Sequence, residues 1–285
     1  MKQENNSWGK QIKEGFLIEE LNSWEGFVEF VKDEKRCWAT QIFRGQANAK
    51  WTLLSRLDRL EKKYNKKPNL SGNNPEEFSC PRVDRDIHLN RFKELALDKI
   101  NKDVKNDDVL WAVAQHHGLA TPLLDFTYSP FVALFFAFEE EKCWCEENNI
   151  TVFKEPRERA VFALTHHLVE ELIQPFSVAG YGIYRAASQA GLFLNMPQKD
   201  YPDKWDLESY IQEKGKNETC KQHTNRLILK KFIIPNKERI ECLRFLDQMN
   251  INRATLFPDL DGVAKYVNDL WEINFDKALG YIKQL

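Results

Sequence analysis

Between Gln115 and Pro130 the chain sets two adjacent imidazoles (His116 and His117), one acid (Asp125), two threonines (Thr121 and Thr127) and Ser129 among apolar residues. It then runs straight into Phe131-Val-Ala-Leu-Phe-Phe-Ala-Phe138. A polar group enclosed by apolar neighbours needs a partner or costs about 1–3 kcal/mol. The segment is therefore either a buried hydrogen-bond network or the wall of a site. An imidazole near a carboxylate is suited to proton transfer close to neutral pH. Adjacent helical residues diverge by about 100°, so one of the two histidines faces a site while its neighbour packs or caps. His117, beside Gly118 at a helix end, is the first choice for the proton-transfer role. Asp125, between Leu124 and Phe126, is expected to be buried and bonded to backbone amides or to Arg44.

Arg44-Gly45 offers a different chemistry. A guanidinium grips a diphosphate through two parallel bonds, and a glycine lets backbone approach a ligand closely. An internal salt bridge from Arg44 to Asp125 or Asp259 is the alternative use of the same side chain. Arg185 and Gln189 stand four apart and are placed to line one cleft with Arg44. Pro258-Asp-Leu-Asp-Gly262 reads as a turn, with too few acids to hold a cation.

The elements that must position these residues are partly legible. Glu20 to Lys32 has helical apolar spacing with Asn22 or Ser23 as its cap. Thr40 to Gln46 reads as a strand ending in a turn, Arg85 to Lys99 as an amphipathic segment, and Asp107 to His117 as a helix. Ser129-Pro130 is a serine cap followed by a proline at the first helical position. Ala160 to Leu164, Gly191 to Asn195 and Leu227 to Ile234 read as strands, and Lys237 to Met249 as a helix. Lys62 to Pro81, polar with proline and asparagine, is expected to be a loop. No repeat is present, and the pattern is that of one α+β domain with a helical N-terminal part.

The chain has 285 residues and a formal net charge of −2, which argues against non-specific polyanion binding. Its longest apolar run falls far short of the ~20 residues of a spanning helix, and the N-terminus does not resemble a signal peptide. No membrane association is expected. Six scattered cysteines lack zinc-ligand spacing, so no metal is expected; free buried thiols and a cytoplasmic address are.

Phe43-Arg-Gly-Gln46 resembles the signature of the FRG domain family. The Gln115 to Phe138 block is similar to that family's His-Gly, Leu-Leu-Asp-x-Thr, Ser-Pro and Ala-Leu-Phe-Phe-Ala motif. Arg185 to Phe193 and Ala254 to Gly262 look like its later elements. The resemblance implies residues 1–37 as a helical N-terminal extension and 38–285 as the FRG domain, with a mixed sheet like that of ADP-ribosyltransferases. It implies an NAD-using bacterial transferase of the toxin or phage-defence kind. NAD or another nucleotide would be bound, and a phage trigger or antitoxin partner is implied; the macromolecular target is left open. In that reading Arg44, Gly45, His116, Thr121, Thr127 and Arg185 bind the dinucleotide, and His117, Asp125 and Gln189 are nearest the chemistry. The sequence departs from the pattern at Gly191, where many relatives carry a glutamate, so Asp125 is the first candidate for the acid. A non-catalytic recognition module, or a phosphoester enzyme using the histidine pair, are the rival readings.

Overall fold

A strand apolar on both faces belongs in the middle of a sheet, and Ala160 to Leu164 is such a run. The computed structural model describes residues 10–13, 16–33, 41–64, 84–96, 98–99, 104, 106–147, 150–165, 175–176, 184–195, 206–214 and 229–274. Its strands are β1 (Lys10–Lys13), β2 (Phe16–Glu20), β3 (Gln41–Gln46), β4 (Leu123–Thr127), β5 (Cys143–Glu147), β6 (Ile150–Lys154), β7 (Glu158–Thr165), β8 (Pro175–Phe176), β9 (Gly191–Asn195) and β10 (Leu229–Pro235). Eight of them form one sheet in the order β1-β2-β10-β7-β3-β4-β9-β8, and β5 pairs only with β6. β7 is central between β10 and β3, with Ala160 to Leu164 fully buried. β2 and β10 run parallel and the other pairs antiparallel, so the sheet is mixed and the architecture α+β.

The helices are α1 (Trp24–Lys32), α2 (Arg56–Tyr64), α3 (Arg85–Leu95), α4 (Asp107–His116), α5 (Pro130–Phe138), α6 (Tyr184–Ser188), α7 (Leu207–Lys214), α8 (Arg239–Gln248), α9 (Arg253–Leu256) and α10 (Leu260–Ile273). Among the described residues, none is long and apolar enough to cross a membrane. On one sheet face, Phe43, Val161, Ala163, Phe232 and Ile234 pack with α1, α5 and α8. On the other, Ile42, Leu124, Phe162 and Leu192 pack with Leu207, Tyr210 and Ile211 of α7. α5 is apolar nearly all round and correspondingly buried. Ser129 caps it, its hydroxyl accepting from the Val132 amide at 3.3 Å, with Pro130 as the first helical residue.

Three elements differ from expectation. The residues before 38 are not helical alone: β1 and β2 form a hairpin, and β2 joins the main sheet on β10, with Leu229 opposite Phe16. That pairing joins distant parts of the chain and leaves no local signal. Pro258–Gly262 is not merely a turn, because Asp259 caps α10 by accepting from the Gly262 amide at 2.8 Å. Lys62 to Tyr64, the start of the expected loop, end α2; the rest of that loop lies outside the described residues. Cys143, Cys145 and Cys242 are free and buried, and Cys37, Cys80 and Cys220 lie outside the described residues.

Candidate functional site

β3 and β4 are in register at a single pair, Phe43 with Thr127. Residues on both strands around that pair line a cleft of about 1110 Å³, large enough for a dinucleotide-sized ligand. Its walls also come from α2 (Arg59), the end of α4 (Gln115 and His116), α5 (Phe136), α6 (Arg185), Gln189 just after it, and the β5–β6 hairpin.

One line of hydrogen bonds crosses the floor. The Thr121 hydroxyl donates to Gln115 Oε1, and the Gln115 amide donates to Asp125 Oδ1. Arg44 Nη1 donates to the Asp125 carbonyl oxygen at 2.6 Å and lies 3.6 Å from its Oδ2. The Nε of Arg44 is buried with no partner. The rest of the guanidinium is partly exposed on the cleft wall, and its charge is one that an anion in the cleft would offset. Arg59 joins the same wall, with Nη1 donating to the Leu54 carbonyl at 2.8 Å. Enclosure, and then the positive charges of Arg44 and Arg56, push the Arg59 pKa down. An anion between Arg44 and Arg59 would relieve that repulsion.

Asp125 is not buried as expected. Leu124 and Phe126 point into the core while Asp125 alternates onto the cleft, 58 % exposed. The surrounding walls still limit the water around its carboxyl, and this desolvation raises its pKa; Arg44 opposes the rise. Glu139, at the end of α5 and also lining the cleft, is raised to about 7 by burial, against the pull of Arg253 3.0 Å away.

The remaining expected residues divide. His116 lines the cleft, and enclosure followed by repulsion from Arg185 and His117 lowers its pKa, which favours the neutral imidazole. His117, the first choice for proton transfer, is the exposed cap at the C-terminus of α4 and does not line the cleft. Helical divergence separated the pair, and the cleft lies on the His116 side. Gly45 lines the cleft, but its missing side chain serves α5: a Cβ there would lie 1.9 Å from the Ala133 carbonyl oxygen. Thr121 is fully buried and acts through Gln115. Thr127 braces the site, its hydroxyl donating to the Gln189 carbonyl at 2.6 Å and accepting from the Ser129 amide at 3.0 Å. Arg185 is held by Asp259, with Nε 2.9 Å from Oδ2, so its charge is already matched. Gln189 donates its side-chain amide to the Leu256 carbonyl at 3.1 Å.

Arg59, Glu139 and Gln115 also line the cleft, although the sequence did not single them out as site residues. Arg56 and Arg59, one helical turn apart, were the available signal for α2, but that stretch has few apolar residues to mark a helix. Glu139 gave no signal, since nothing local says that the end of α5 meets the cleft.

No curated protein and no solved structure matches the chain. Residues 39–144 match the family model of the FRG domain. The match spans β3, α4, β4 and α5, which carry Arg44, Gln115, His116 and Asp125; Arg185, Gln189 and Gly191 lie beyond it. On these grounds residues 39–144 of the chain carry an FRG domain.

Proposed function

We propose that the cleft is a dinucleotide site and that the protein transfers ADP-ribose from NAD, as an intracellular toxin or anti-phage effector. The observation that carries the reading is the arginine pair. Arg44 and Arg59 line one cleft beside a carboxylate and repel each other, and a diphosphate matches their charge. The effector role rests on the resemblance to a family associated with toxins and phage defence.

Transfer from NAD breaks the bond between the ribose C1′ and nicotinamide, whose nitrogen keeps the electron pair. A carboxylate beside C1′ stabilises the positive charge that develops on the sugar. Gly191 offers none, but Thr127 pairs with Gly191 and Asp125 with Phe193. Paired residues of neighbouring strands share a face, so Asp125 presents its carboxylate on the face a side chain at 191 would use. Gln115 and Arg44 orient it.

A recognition module that binds a nucleotide without turning it over is the second reading, and Gly191 favours it. A Cβ at 191 would sit 3.3 Å from the Ala186 carbonyl oxygen, so α6 leaves a side chain there little slack. With His117 outside the cleft, a two-imidazole phosphoester mechanism lacks its second group.

The test is nicotinamide release, and label transfer, from adenine-labelled NAD by the purified protein, alongside growth and cellular NAD in a bacterial host. The expected result is turnover that falls at least about 100-fold in Arg44→Ala and in Asp125→Asn, in line with loss of a charge-stabilising group. Binding of NAD that depends on Arg44, with no cleavage under either condition, would overturn the transferase reading in favour of the recognition module.

A further inference from the structure

At the mouth of the same cleft three aromatic side chains stand in solvent: Trp51 (39 % exposed), Trp144 (60 %) and Phe153 (54 %). We infer that Trp51, Trp144 and Phe153 form a stacking subsite for a nucleobase of the ligand whose phosphates Arg44 and Arg59 hold. The inference rests on the reading of the cleft as a nucleotide site.

The local architecture holds these rings in place. On the β5–β6 hairpin Cys143 and Cys145 are buried, and Trp144 alternates onto the outer face. Phe153 is its cross-strand partner, with ring centroids 5.1 Å apart. Trp51 follows β3 and is tied to the hairpin by its indole Nε1, which donates to the Trp144 carbonyl at 3.3 Å. The three rings are thus fixed by one hairpin and one hydrogen bond, with apolar surface left in water that a planar ring would cover.

Charge selects the occupant. Lys50 and Lys142 line the cleft beside the rings, which suits a ligand with phosphates. Glu140 and Glu141 stand in the same region, paired with Arg253 at 3.2 Å and with Lys142 at 3.9 Å, so the rim lacks the excess of positive charge that a strand of nucleic acid needs. A single nucleotide, with its base on the rings and its phosphates deeper on the arginines, fits both signs of charge. Stacking of a base on an aromatic side chain is sequence-tolerant, so the subsite selects a flat heteroaromatic ring rather than one particular base.

The experiment is calorimetric titration of the full chain with ADP, ribose 5-phosphate and inorganic pyrophosphate, for wild type, Trp51→Ala, Trp144→Ala, Trp144→Phe and Arg44→Ala. ADP is expected to bind wild type at least about tenfold more tightly than pyrophosphate. Trp51→Ala and Trp144→Ala should remove that advantage while pyrophosphate binding stays constant, and Trp144→Phe should restore most of it. Trp144 is largely exposed, so its removal should leave the thermal midpoint unchanged, and that midpoint is recorded for every variant. Equal affinities for ADP and pyrophosphate in wild type would overturn the stacking subsite and leave the anion site standing. Loss of all binding in the tryptophan variants with unchanged midpoints would also overturn it, as would tighter, salt-sensitive binding of a single-stranded DNA decamer. Binding of ADP that ignores Arg44→Ala but follows Trp144 would support the subsite and remove the arginine reading instead.

Discussion

Asp125 is pulled two ways. The cleft walls limit the water around its carboxylate and raise its pKa, while Arg44, the Gln115 amide and more distantly Arg59 favour the charged form. If the carboxylate stabilises charge on the ribose, it must be ionised, so activity should be lost on acidification at a pH above the ordinary carboxylate range. Arg59→Gln removes one of the charges that hold the pKa down. The acid limb of kcat for NAD cleavage should then move to higher pH, read from a kcat–pH profile of the two proteins; an unmoved limb would show that another group titrates. At the same scale, Thr121 shows how a residue without access to the cleft still shapes it. Its hydroxyl fixes the Gln115 carbonyl, which turns the Gln115 amide towards Asp125.

At the scale of elements, α5 is the part on which the site is built. Its N-terminus is satisfied by Ser129 and Pro130. Near its C-terminus the carbonyls of Ala137, Phe138 and Glu139 accept from Arg159 at 2.6 Å, Arg239 at 2.9 Å and Arg253 at 3.2 Å. Cations at a helix C-terminus also meet the negative end of its dipole. Between these ends α5 lies directly on β3, and Gly45 is what allows the approach: a Cβ would sit 1.9 Å from the Ala133 oxygen and 2.6 Å from the Ala137 nitrogen. Both obstacles are backbone and cannot rotate away. Gly45→Ala should therefore cost about 3 kcal/mol, as overpacking of a filled interior does, and lower the thermal midpoint. It should also lower nucleotide affinity, since β3 carries Arg44. An unchanged midpoint would mean that β3 and α5 separate at little cost.

At the scale of the whole molecule, burial of carboxyls sets how stability follows pH. Glu139 has its pKa raised from 4.5 to about 7 in the folded protein. The fold therefore holds a proton that the unfolded chain releases. Below about pH 4.5 both states are protonated and Glu139 costs nothing; as pH rises towards 7 the unfolded state gains, and stability declines. The full cost is up to about 3 kcal/mol. Asp125 and Glu208, also raised chiefly by enclosure, act with the same sign. Asp259 has the opposite sign, because the Gly262 amide and Arg185 lower its pKa. Glu139→Gln should flatten the decline between pH 5 and 8, measured as urea midpoints; Arg253 keeps Glu140 and Asp269 as partners in that variant. An identical slope in the two proteins would assign the decline to other groups.

Local chemistry determined what the sequence by itself could show. Ser129-Pro130 before an apolar run dictated a capped, buried helix, the all-apolar Ala160 to Leu164 dictated a buried strand, and Gly191 to Asn195 was legible to its ends. The family motif drew attention to Arg44 and to the segment around Asp125, because its residues are close in sequence. Tertiary structure alone decided the rest. It chose His116 over His117 by setting which side of α4 meets the cleft, and it turned Asp125 outward because Leu124 and Phe126 fill the core beneath. It brought Arg59 to Arg44, Glu139 to the cleft wall, and β2 onto β10. Caps and periodicity act between residues a few positions apart and are written in the sequence. Strand pairing and cleft walls join residues far apart in the chain, whose meeting depends on how all the buried surfaces are satisfied together.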